Sequence, residues 1–178
     1  MRRRTIYLAG FGAVFAALLG IARIAMARPQ STRTYLSSDE AAKIRDTQDP
    51  SARIKLYMAF AEDRLQKFDY ELDRTVPERD RSEVLNSLLH GYEGCMDGAD
   101  DEIDDARYKQ ADIKDALKLM DAKSKTYLAQ LRKYSKNGRY LSDYSDTLQD
   151  AIDSTTDALS DVADAQKNML PAVVRRKP

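Results

Sequence analysis

One cysteine, one histidine and no tryptophan stand in 178 residues. A single His builds neither the His triads nor the His-x-x-x-His pairs that hold catalytic zinc. Cys95 alone closes no disulfide within the chain, so stability must come from packing. No Cys-x-x-Cys-His is present, which excludes covalent haem. The sequence also lacks a glycine-rich phosphate loop, Gly-x-Ser-x-Gly and Lys-Thr-Gly. Ser87 stands three residues before His90, where a di-iron bundle needs Glu. The chain is therefore expected to be no enzyme and to carry no cofactor and no metal.

Proline is missing between Pro77 and Pro171, which leaves room for long helices. Strand alternation bounded by turn residues is missing as well. Ser37-Ser38-Asp39-Glu40 fits a capping box and opens a short helix to Asp46. Asp49-Pro50 fits an N-cap followed by proline at the first helical position. From there Ile54, Met58, Ala61, Leu65, Phe68 and Leu72 recur at three and four. A third helix begins near Pro77 and carries Leu85, Leu88, Tyr92, Cys95, Ala99, Ile103 and Ala106. A fourth carries Ile113, Leu117, Met120, Ser124, Tyr127, Leu131 and Tyr134, and stops at Asn137-Gly138. A fifth carries Leu141, Leu148, Ile152, Thr155, Leu159, Val162, Ala165 and Met169.

The fold class is all-α. The spacing predicts an up-down-up-down four-helix bundle preceded by a short helix. A hairpin is placed near Tyr108–Asp112, where Asp112 and Asp115 suit a capping box. Neither Gly nor Pro marks that boundary. The alternative is therefore an elongated three-helix coiled coil with one long central helix.

The chain begins with Arg2-Arg3-Arg4, an apolar run from Ile6 to Ala22, and Ala25-Met26-Ala27 before Arg28-Pro29. That order is the pattern of a secretory signal peptide over residues 1–27. Export to the periplasm or the exterior is expected; the alternative is a protein anchored by an uncleaved N-terminal helix. Residues 28–36 read as a linker, in which Tyr35 and Leu36 offer a foothold, and residues 171–178 as a basic disordered tail. Residues 37–170 form the helical bundle domain, and Cys95 is expected to be buried in it. Four of the 29 basic residues and none of the 29 acidic ones fall in residues 1–27, which leaves a net charge near −4. Such a balance argues against nucleic acid as a partner, and a membrane is a partner only if the leader is retained.

Thr47-Gln48-Asp49-Pro50-Ser51-Ala52-Arg53-Ile54-Lys55-Leu56-Tyr57, with Ala61-Glu62-Asp63-Arg64-Leu65, opens a segment over residues 47–68 that resembles uncharacterised exported all-helical proteins of soil bacteria. The resemblance implies export and a helical fold and carries no activity.

Two stretches depart from ordinary helix composition. Gly91, Gly94 and Gly98 share one face of the third helix, and each costs about 1 kcal/mol against Ala. Close approach of a neighbouring helix, with a Tyr or Phe filling the space, explains such a face. The other explanation is a small-ligand or haem pocket at His90, Gly91, Gly94, Cys95 and Gly98, with Met58 or Met120 as second axial ligand. The fifth helix repeats Asp143, Asp146, Asp150, Asp153, Asp157, Asp161 and Asp164, with no Lys or Arg between Leu141 and Gln166. The third adds Asp97, Asp100, Asp101, Glu102, Asp104 and Asp105. A solvated face accounts for this pattern; a docking surface for a basic envelope protein gives it a function. The sequence thus points to a non-enzymatic exported protein acting through protein–protein contacts, and the alternative is a small-ligand or haem carrier.

Overall fold

A computed structural model describes residues 35–75 and 78–168 of the protein. Residues 1–34, 76–77 and 169–178 lie outside the described residues, and with them the expected signal peptide, most of the expected linker, Met169 and the expected basic tail. Among the described residues the fold is all-helical: α1 (Ser38–Asp46), α2 (Pro50–Asp73), α3 (Glu78–Lys109), α4 (Lys114–Asn137), a 3-10 turn (Leu141–Asp143) and α5 (Ser145–Asn168). None of these helices is long and apolar enough to cross a membrane.

The helix starts follow from the caps. Ser37 accepts the Glu40 N–H, and the Glu40 carboxylate accepts the Ser37 N–H at 2.8 Å, a complete capping box. Asp49 accepts from Ser51 and Ala52 at the head of α2, with Pro50 in the first turn. The boundary without Gly or Pro is real. Gln110 takes a left-handed φ of 52°, and the Ala111 N–H reaches back to the Ala106 carbonyl at 2.9 Å. A non-glycine residue accepts that geometry at a cost of about 1–2 kcal/mol, so composition leaves it unmarked. Asp112 accepts the Lys114 N–H at 3.2 Å. The chain therefore turns here, and the continuous central helix is not formed. Leu141 belongs to the 3-10 turn rather than to α5, because Tyr140 at φ 58° redirects the chain first.

α4 ends at Gly138 for a different reason from the one its composition suggests. Gly138 has φ −66°, an ordinary value. What it supplies is space, since a Cβ there would collide with the Tyr144 hydroxyl and the Tyr134 carbonyl.

α2 packs on α3 and α4, and α5 packs on α3 and α4. Side-chain pairs fix the directions. Arg53 meets Glu102 at 2.8 Å, while further along α2 Arg64 lies against Gly91, so α2 and α3 are antiparallel. Glu62 meets Lys123 and Asp69 meets Gln130, so α2 and α4 run parallel. Asn86 meets Thr147 and Tyr92 meets Thr155, so α3 and α5 run parallel too.

Among the described residues the expected seam positions are buried except Leu88, Leu141 and Leu159, which are half-buried. Each long helix also buries a second row, including Tyr57 and Phe60, Leu89 and Met96, Ala116 and Leu128, and Ala151 and Ala158. A helix that touches two neighbours needs this wider apolar face. The tyrosines that enter the core bring partners: Tyr92 with Thr155 at 2.6 Å, Tyr127 with the Met58 carbonyl at 3.2 Å, and Tyr134 with Asp69. Phe68 packs edge-on against Tyr144, with ring centroids 5.1 Å apart.

The glycine face is filled by aromatic rings. A Cβ on Gly98 would stand 2.6 Å from the ring of fully buried Tyr57, and one on Gly94 would stand 2.5 Å from the ring of Tyr35. Gly98→Ala is therefore expected to lower stability by about 1–3 kcal/mol through overpacking, despite its better helix propensity. Urea denaturation of the variant checks this; a gain in midpoint would contradict the packing.

Candidate functional site

Because α3 and α5 lie side by side and parallel, their acids face a shared groove of about 330 Å³. α3 contributes Glu93, Met96, Asp97 and Asp100; α5 contributes Asp150, Asp153, Ser154, Asp157, Ala158 and Asp161. These are positions three and four apart on each helix, so one face of each carries them all. Seven of the ten lining residues are carboxylates and none is basic. Ser154 donates to Asp97 at 3.2 Å across the groove.

The carboxylates perturb one another. Burial pushes the Asp100 carboxyl up to about 6, and Asp161, Asp104 and Asp101 add repulsion that Arg107 only partly offsets. Asp97 is raised first by burial, against the opposing Ser154 hydrogen bond, with Glu93 and Asp101 adding to the rise. Even so, the oxygens do not converge. Among the described residues no group of three or more His, Cys, Asp or Glu side chains is placed to hold a metal ion. The groove presents distributed negative charge.

Of the seven acids read from the fifth helix, Asp150, Asp153, Asp157 and Asp161 line the groove. Asp146 is exposed in the first turn of α5, where it complements the helix dipole. Asp164 pairs with Lys167 at 3.4 Å. Asp143 is a correction. It lies in the 3-10 turn, its carboxylate is held by Arg81 at 2.8 Å, and its carbonyl accepts from Ser82 and Asn86. That network anchors the turn and removes Asp143 from any free acidic face. Glu102 likewise points away, buried against Arg53 at 2.8 Å. Glu93 was not singled out in the sequence, although it stands four residues before Asp97 on the same face.

The residues considered for a ligand pocket are dispersed. His90 stands 61% exposed, with Nδ1 3.4 Å from Glu93, whereas Met58 and Met120 are fully buried. They do not face a common axial site. His90 and Gly91 border a surface depression with Tyr35, Glu83, Asn86 and Ser87. Gly94 and Gly98 lie under the tyrosine rings, and Cys95 is a buried thiol pushed up to about 12 by burial.

No protein-family model, no curated protein and no solved structure matches this chain.

The raised Asp100 gives a signed pH dependence. Its folded pKa of about 6 exceeds the model-peptide value of 3.8, so its contribution to stability is fully present below pH 3.8 and lost as pH rises through 6. Asp100→Asn is expected to raise the melting temperature by about 2–4 °C at pH 7.5, with the difference vanishing near pH 4. Thermal melts of both proteins across that range check it; a pH-independent difference would show that charge is not the cause.

Proposed function

We propose that this protein is an exported, non-enzymatic helical protein that docks a cationic partner protein of the cell envelope in the acidic groove between α3 and α5. The observation that carries this reading is the run of seven carboxylates with no basic residue lining the groove. Such a surface attracts a cationic segment by a long-range, salt-screened interaction. We read the four long helices as an up-down-up-down four-helix bundle, formed of the α2–α3 and α4–α5 hairpins laid side by side. Export rests on the order of basic start, apolar run and Ala25-Met26-Ala27 in the leader. The resemblance of residues 47–68 to exported helical proteins agrees with it.

A lysine decapeptide serves as the probe, titrated at several salt concentrations. The triple substitution Asp150→Asn, Asp153→Asn and Asp157→Asn is expected to weaken binding about tenfold and to reduce its salt dependence. A control with the same loss of charge replaces Asp112, Asp115 and Asp121 near and on α4, outside the groove. Equal weakening by the two variants would mean that net charge, and not the groove, governs binding. An unchanged affinity in the groove variant would remove the docking reading.

A further inference from the structure

The segment that enters the helical body from its N-terminal side is fastened differently from everything after it. α1 buries only Ile44, and ahead of it Tyr35 and Leu36 are half-buried against the core. Two further attachments are prominent. The first is the Tyr35 ring, seated in the notch that the missing side chain of Gly94 leaves on α3, with its hydroxyl over Gly98. The second is Arg64 of α2. Its guanidinium donates to both oxygens of Glu40, at 2.6 and 3.0 Å, and to the Tyr35 carbonyl at 3.2 Å. Glu40 is the same carboxylate that completes the capping box of α1. One carboxylate therefore closes the helix start and fastens it to the body. Cys95 follows Gly94 in the sequence of α3 and is fully buried. The charges that reach its thiol are those of Arg64, Glu40 and Asp63, two of which belong to the fastening.

We propose that Tyr35–Asp46 is a strap that opens as a unit while α2 to α5 stay folded, and that opening uncovers the glycine notch and Cys95. A segment with so little buried apolar surface and two localised attachments lies at the low-stability end of a native structure. Inside the closed strap the thiol is unreactive because it is dry and protonated, and the thiolate is the reactive form. Hence the rate at which Cys95 reacts reports strap opening. The groove between α3 and α5 takes no part in this device, so the two stand or fall separately.

The experiment is reaction of Cys95 with N-ethylmaleimide in the intact chain, followed in water and in rising urea. Labelling through strap opening should depend far less on urea than global unfolding does. Tyr35→Ala and Glu40→Gln should each speed labelling by about ten- to a hundredfold, with the far-UV spectrum and the main melting transition retained. Leu148→Ala serves as the control; it empties a buried position on α5, whereas the strap is held on α2 and α3, and it should lower the melting temperature without speeding labelling in water. Wild-type labelling with the full urea dependence of unfolding would overturn the proposal. So would an acceleration by Leu148→Ala equal to that by Glu40→Gln.

Discussion

The approach of Tyr57 to Gly98 governs how close α2 and α3 come, and the remaining architecture is arranged around that contact. A phenol ring cannot lie against a helix at this separation unless a side chain is missing beneath it. Three glycines in α3 sacrifice about 1 kcal/mol of helix propensity each. The return is a seam in which Tyr57, Tyr35 and the Arg64 stem lie directly on helix backbone. Buried aromatic rings of this size remove about 150–250 Å² each from water, enough to offset the propensity lost. The same close seam permits the short Arg53–Glu102 pair at its other end.

With α2 fixed on one side of α3, α5 is left to pack on another. The parallel register of α3 and α5 is set near their N-terminal ends by neutral hydrogen bonds, Asn86 to Thr147 and then Tyr92 to Thr155. Beyond Tyr92 the facing residues change character. Asp97 still finds Ser154, whereas Asp100 feels the repulsion of Asp161, Asp104 and Asp101 more than the attraction of Arg107. The acidic groove follows from this change along one interface. Polar but uncharged contacts join the two helices at one end, and carboxylates line the groove along the next stretch.

Much of this organisation was legible in the chain. The capping residues Ser37, Glu40 and Asp49 mark helix starts because their side chains bond locally, within three residues. The three-and-four recurrence located the core for the same reason, since periodicity is a property of one helix. What local pattern could not carry was which helix lies beside which. The assignment of Asp143 to the acidic face failed because its partner, Arg81, is 62 residues away. Glu102 was misplaced in the same manner by its distant partner Arg53. The glycines were correctly singled out as costly, and the chain alone left open whether a ring or a ligand filled the space. Tyr35, noted only as a foothold, turned out to be one of those rings. The turn was placed near Tyr108–Asp112, but a continuous helix stayed open as the alternative because Gln110 adopts the conformation usually left to glycine.

The acidic groove also takes its meaning from where the cations lie. α4 exposes Lys118, Lys125, Arg132, Lys133 and Lys136, and it packs on α2 and α5 rather than pairing extensively with α3. Some of these cations are satisfied within α4, as Lys125 is by Asp121 at 2.8 Å. The near-neutral sum of charges therefore conceals an uneven distribution, with the cations concentrated on α4 and the groove acids on α3 and α5. The groove acids from Asp150 to Asp161 span about 16 Å of helix at 1.5 Å per residue. That is about twice the screening length of ~8 Å at physiological salt. Charges at the two ends of the groove are therefore largely screened from one another. Under the docking proposal such a groove would favour a partner whose positive charges match the spacing of these carboxylates.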